Sequence, residues 1–287
     1  MKNNVLILPG FLIVSLVLFL SCNSADQPIP KTSVASNKPI PKEELALIRR
    51  EFKWANPYNA ALDTLIVHLK KFDISTDDIL WGQSICVDDI TNTKDKFFHP
   101  EIMGPFNFGG LAGLPATGNT GVGAYAHHVP ENGTALVFGG PHVGFSKEEG
   151  WGLILRHNQK HRSSCCGALV AALDKLKKGE IKVSAPDPED YQEQEIEQLA
   201  LKHRDKILSS PNPLLELTNL IALECRHQIT RYAVKLKDNP EIRYVVLVNG
   251  VIINTDYQYT DYLCINSVTV LDVKRRAWME WERPIQQ

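Results

Sequence analysis

The chain has 287 residues, with 44% hydrophobic and 22% charged content and a formal net charge of −2. That length is enough for one full hydrophobic core, and the apolar fraction is that of a globular sequence rather than a disordered one. The near-neutral balance leaves no basic footprint, so nucleic acid is not an expected partner.

Residues 1–21 read as a secretory signal: Lys2, an apolar run from Val5 to Leu20, then Ser21. The run is too short, and too sharply followed by polar residues, to span a membrane comfortably. Its end, Phe19-Leu20-Ser21-Cys22, resembles a bacterial lipobox. Cys22 is therefore the expected lipid anchor of an exported, membrane-anchored lipoprotein. Residues 22–41, rich in Ser, Asn, Lys and Pro, read as a disordered tether.

From Pro41, with Glu43 and Glu44 in its first turn, the pattern opens a helix. A second helix follows over 59–72, where Ala61, Leu65, Leu69 and Phe72 share one face. "ILWGQSICVDD" reads as a buried strand that ends in a loop carrying Cys86 and Asp88. Residues 104–123 are glycine-rich without a regular period. They hold no GxxxxGK[ST], which excludes a phosphate cradle and points to tight backbone packing. A β run from Ala135 to Phe138 stops at Gly139-Gly140-Pro141-His142. A helix begins near Cys166 and stops at Gly179, and long helical patterns occupy 190–208 and 213–237. "RYVVLVNGVIIN" sets Asn249-Gly250 between two apolar runs, a hairpin signature, and "SVTVLDV" supplies another strand. Strands that end in glycine-rich loops and feed helices predict an α/β fold over 42–287. The expected form is a layered α/β/α domain with a central, mostly parallel sheet and extra N-terminal helices. Sites in such sheets form at the carboxyl ends of the strands.

Of the six cysteines, setting Cys22 aside leaves Cys86, Cys165, Cys166, Cys225 and Cys264. An odd set with one adjacent pair does not fit a disulfide framework. Cys225 and Cys264 lie in helix and strand patterns and read as small buried hydrophobes. Cys86, His142 and one of the adjacent pair fall where a strand meets a loop or a loop meets a helix. Zinc takes thiolate and imidazole in a tetrahedron, and three protein ligands plus water make an open catalytic site. The long spacings exclude a zinc finger, so the fold would have to assemble such a site. The same residues also allow a Cys-His hydrolase, with Cys166 activated at a helix start beside His142, although no acyl-enzyme motif accompanies it. In "GAYAHHV" one histidine reads as core and the other, His128, as a candidate catalytic group facing the site. His157 and His161 sit in a polar segment that reads as an exposed loop.

Four segments taken in order, "SICVDD", "FGGLAGLPATGNTGVGAYAHHVP", "GGPHVGFS" and "SCCGALVAA", resemble the limiting-CO2-inducible protein B/C family. The likeness covers about residues 50 to 287. That family is similar to the β-type carbonic anhydrases in fold and metal site. The resemblance implies that Cys86, His142 and Cys166 hold Zn2+, Cys166 being preferred to Cys165 because it directly precedes a glycine. It implies reversible hydration of carbon dioxide to bicarbonate by a homodimer, with Asp88 orienting the attacking water. Phe106, Phe108, Leu111 and Leu114 would line the carbon dioxide pocket. The alternative within the resemblance is a catalytically silent, zinc-stabilised scaffold or bicarbonate-binding protein. β-type enzymes carry an arginine two residues after the aspartate. Ile90 stands there instead, so Asp88 is expected to be free to take the fourth zinc position at low pH, unless Arg156 or Arg162 substitutes.

Overall fold

The computed structural model describes residues 38–91 and 102–281. The expected signal, the anchor Cys22 and most of the tether lie outside the described residues. The tether's expected last residues are already part of the fold. Lys38 N donates to Gln258 O (3.2 Å), Thr260 N donates to Lys38 O (2.8 Å), and Ile40 is buried in the core. Two backbone hydrogen bonds and one buried apolar side chain hold these last residues, although their composition reads as disordered.

Helix α1 (Lys42–Glu51), strand β1 (Asn56–Pro57) and helix α2 (Tyr58–Leu69) open the fold. Then come β2 (Ile79–Ser84), β3 (Met103–Asn107), α3 (Gly118–His128), β4 (Gly133–Gly139) and β5 (His142–Ser146). A short excursion through β6 (Gly150–Trp151), β7 (Leu153–Ile154) and β8 (Ser163–Ser164) leads into α4 (Gly167–Lys178). Helices α5 (Tyr191–Lys202), α6 (Arg204–Ser209) and α7 (Pro213–Leu236) precede β9 (Ile242–Asn254), β10 (Tyr262–Asp272) and β11 (Ala277–Trp281). The helical pattern over 190–208 is broken at His203, whose φ of −109° and ψ of 21° leave the helical region.

The sheet is mixed and mostly parallel. Strands β9, β4, β2 and β3 run parallel in that order, and β10 closes the other side of β9 antiparallel. Every residue of β2 and β4 is buried, as parallel strands covered on both faces must be. Alternation along the strands assigns the faces. Ile79, Trp81, Leu136, Phe138, Val246 and Val248 pack with Leu62, Leu65 and Leu69 of α2. Leu80, Ala135, Val137, Val245 and Leu247 pack with Tyr125 of α3 and Ile229 of α7. The two-residue period thus yields an α/β/α sandwich. A third apolar cluster, beyond the ends of β2 and β4, joins Cys86, Leu114, Val143 and Cys166 to Leu169 of α4, Ile196 of α5 and Ile221 of α7.

Two expectations are corrected. The second half of the glycine-rich stretch is not irregular: it forms α3, whose buried Val122 and Tyr125 pack into the α7 layer, and tertiary burial outweighs glycine's helix cost. Asn249-Gly250 is not a hairpin turn but the middle of β9, thirteen residues long. Asn249 Nδ2 donates to Gly139 O and Ala222 O, both at 2.9 Å, which satisfies the amide inside the core. Gly250 is there for closeness: a Cβ would stand 2.6 Å from Cys264 O on β10.

Candidate metal centre

Cys86 lies just past the end of β2, in a loop tied by Thr91. Thr91 Oγ1 lies 2.5 Å from Cys86 O and 2.7 Å from Asp88 O, and its N–H donates to Asp88 O at 3.0 Å. His142 opens β5, and a break in the sheet places it. Gly139 pairs with Asn249 and His142 with Ile252, so β5 continues the row of β4 along β9 with Gly140 and Pro141 between them. A Cβ at Gly140 would fall 1.8 Å from Gly250 O, so only glycine fits. Cys166 stands at the N-terminus of α4, where the helix dipole favours negative charge. The excursion that delivers it is pinned to β5. Gly144 N donates to Cys165 O (2.7 Å), Gly152 N to Gly144 O (2.8 Å) and Cys165 N to Gly152 O (2.9 Å).

These segments bring the ligand atoms of Cys86, His142 and Cys166 within 4.8 Å of one another, all three residues buried. The two sulfurs are 3.8 Å apart. Two thiolates on one tetrahedral zinc, with bonds of about 2.3 Å, stand roughly 3.8 Å apart. His142 Nδ1 is 2.8 Å from Asn254 Oδ1, while the buried Nε2 has no hydrogen-bond partner among the described residues. A bare, buried imidazole nitrogen beside two thiols fits a soft divalent cation. Cys165 is not in the group. Its sulfur lies 3.4 Å from His142 Nδ1 and 3.5 Å from Asn254 Oδ1, behind the ring.

Electrostatics point the same way. The hydrogen bond from Cys166, aided by His142 and opposed by burial, pushes the Cys86 thiol down to about 4. That bond and burial push the Cys166 thiol up. Burial lowers His142, but the Cys166 charge and the neighbouring thiols outweigh it and raise the imidazole. In a metal-free centre protons supply the positive charge that the two thiolates need, and a divalent cation would replace them.

Asp88 is not free: of the two arginines considered as substitutes for the one missing at Ile90, Arg156 takes the place. Arg156 grips it with both arms, Nη1 to Oδ1 at 2.7 Å and Nη2 to Oδ2 at 2.8 Å. Arg156 also donates to Asp89 Oδ1 (2.7 Å) and, through Nε, to Ser163 Oγ (3.1 Å). Burial would raise the Asp88 carboxyl, but Arg156 and its other hydrogen-bond donors hold it down to about 2. The carboxylate faces the centre, with Oδ2 3.8 Å from His142 Nε2. Arg162 is committed elsewhere, to Glu148 (2.6 Å) and Asp256 (2.7 Å).

Other expected site residues are not brought here. His127 and His128 are both exposed at the end of α3, so neither is a core histidine. His128 stacks edge-on against Phe106, centroids 6.1 Å apart, and leads into the start of β4, whereas the metal group lies beyond that strand's end. The expected pocket also divides. Phe106 and Phe108 point, two residues apart, into an aromatic cluster with Tyr125, whereas Leu111 and Leu114 pack in the cluster that contains Cys86 and Cys166. Sequence reasoning missed Thr91, Asn254 and Asp261; a lone amide ending the apolar run "VIIN" was the one available sign.

The fold and centre define an α/β protein of the β-carbonic-anhydrase-like class, with a buried Cys2His group typical of its zinc site. The family model for limiting CO2-inducible proteins B/C beta carbonic anhydrases matches residues 55–272, and the chain belongs to that family. Among solved structures it is similar to PtLCIB4, a homolog of the limiting CO2-inducible protein LCIB. The two are 26% identical with a TM-score of 0.72, over 82% of this chain and 98% of that one. LCIB itself shares the fold, at 18% identity and a TM-score of 0.60, over 81% of this chain and 96% of that one. No curated protein matches the chain.

Proposed function

We propose that this protein is a zinc carbonic anhydrase that interconverts carbon dioxide and bicarbonate, exported and tethered through Cys22, and working as a homodimer. The observation that carries the catalytic reading is the convergence of Cys86, His142 and Cys166 with Nε2 left bare. These three residues would hold the metal, which when bound acidifies a water so that it can attack carbon dioxide. The chain's own groups do the rest. Asp88, an acceptor throughout the neutral range, takes a hydrogen bond from the attacking water and orients its lone pair. Arg156, bonded to both oxygens, keeps that carboxylate from moving onto the metal. Leu111 and Leu114 give the apolar side that a small nonpolar substrate needs. The arginine supplied from position 156 favours activity over a silent scaffold. A cysteine hydrolase is disfavoured because Cys166 is 1% exposed, out of reach of an acyl group.

The test is zinc quantification with stopped-flow hydration on the purified domain. Cys166→Ser and His142→Ala should lose zinc and activity together, while Cys165→Ser keeps most of both. Full zinc without hydration above the buffer rate would establish the scaffold reading instead.

A further inference from the structure

Behind the metal-facing nitrogen of His142, a buried hydrogen-bond chain runs to the start of β10. His142 Nδ1 lies 2.8 Å from Asn254 Oδ1, and Asn254 Nδ2 donates to Asp261 Oδ2 at 2.9 Å. Thr255 N in turn donates to Asp261 Oδ1 at 2.8 Å. His142, Asn254 and Asp261 are all buried, so water does not compete for these bonds. The chain's polarity is fixed from its far end. Both Asp261 oxygens accept, so Asn254 must turn its NH2 toward Asp261 and its oxygen toward His142. An oxygen facing Nδ1 requires the hydrogen there, which leaves the Nε2 lone pair free.

We infer that Asn254, oriented by Asp261, is a positioning residue that holds His142 in the tautomer able to ligate a metal through Nε2. Cys165, in contact with both His142 Nδ1 and Asn254 Oδ1, packs against this pair and keeps the ring seated. The inference rests on the metal-centre reading and extends it to groups that do not touch the metal.

An isosteric change tests it. In Asp261→Asn, Thr255 N keeps an oxygen acceptor, but the new NH2 now faces Asn254. That turns the Asn254 amide over, sets its NH2 against Nδ1, and moves the ring hydrogen to Nε2. Zinc affinity, read by chelator competition, should fall about tenfold to a hundredfold, the usual scale for a ligand's hydrogen-bond partner. The swap Asn254→Asp with Asp261→Asn restores an oxygen facing Nδ1 and keeps the charge, so it should recover most of the affinity. Nitrogen-15 spectra of metal-free protein, at alkaline pH where the ring is neutral, should show Nδ1–H in wild type and swap, and Nε2–H in the single variant. Unchanged affinity and tautomer in folded Asp261→Asn would overturn the inference. So would a folded swap that recovers neither. A wild type that shows Nδ1–H yet takes up no zinc overturns the metal reading and leaves the relay standing.

Discussion

Arg156 supplies, from 68 residues downstream, what the chain lacks at Ile90. Two parallel charge-assisted bonds fix the carboxylate in orientation as well as in place, and both side chains are mostly shielded, at 15% and 16% exposed. The sign of the pH effect follows from the depressed carboxyl. The pair's stabilisation is present above the ordinary carboxylate range and is lost only as pH falls through about 2. Hydration assays near neutrality therefore all sample the intact pair. Arg156→Leu should keep zinc but lose roughly tenfold to a hundredfold in turnover, because Asp88 is then free to turn onto the metal. Adding Ile90→Arg to that variant should recover part of the loss. Undiminished turnover in Arg156→Leu would show that Asp88 needs no restraint. At this scale the Cys2His group was legible: Cys86, His142 and one of the adjacent cysteines sit where strands end or helices begin, and the family resemblance singled out Cys166. Their partners were legible only in part: Arg156 was one of two arginines considered for Asp88, whereas Asn254 was not picked out for His142. Arg156 and Asn254 reach Asp88 and His142 across 68 and 112 residues, and nothing local in a sequence marks such a meeting.

Among the elements, the break between β4 and β5 matters most, because it sets His142 at the level of Ile252. Gly140→Ala would drive a Cβ against backbone, 1.8 Å from Gly250 O, and no rotamer change relieves that. The expected cost is about 1–3 kcal/mol, as for other overpacked sites, with weaker zinc binding as β5 shifts. Urea denaturation beside zinc titration checks it, and wild-type stability would mean the two strands can part there freely. Helices with a one-sided apolar stripe were readable, as α2 and α4 were, the latter with Gly179 at φ +70° ending it. Asn249-Gly250 misled because the dipeptide serves two ends. It suits a turn that needs positive φ, and it equally suits a strand where an amide must be paired and two backbones must nearly touch. Only the neighbouring strands decide between them.

For the whole molecule, the proposed anchor is tested by fractionation. Cys22→Ala should shift the protein from membranes to the soluble fraction, and unchanged membrane association would rule out lipid attachment there. A broader consequence comes from the segment between β5 and α4. Arg156 and Cys166 ride on one stretch of chain, held to β5 by the bonds joining Gly144, Gly152 and Cys165. Anything that pulls this stretch away removes one thiol of the Cys2His group and the aspartate's restraint in the same motion. The centre is therefore wired as an interlock. On the proposed zinc reading, a centre opened in this way fails empty, rather than loaded with metal and jammed by its own carboxylate.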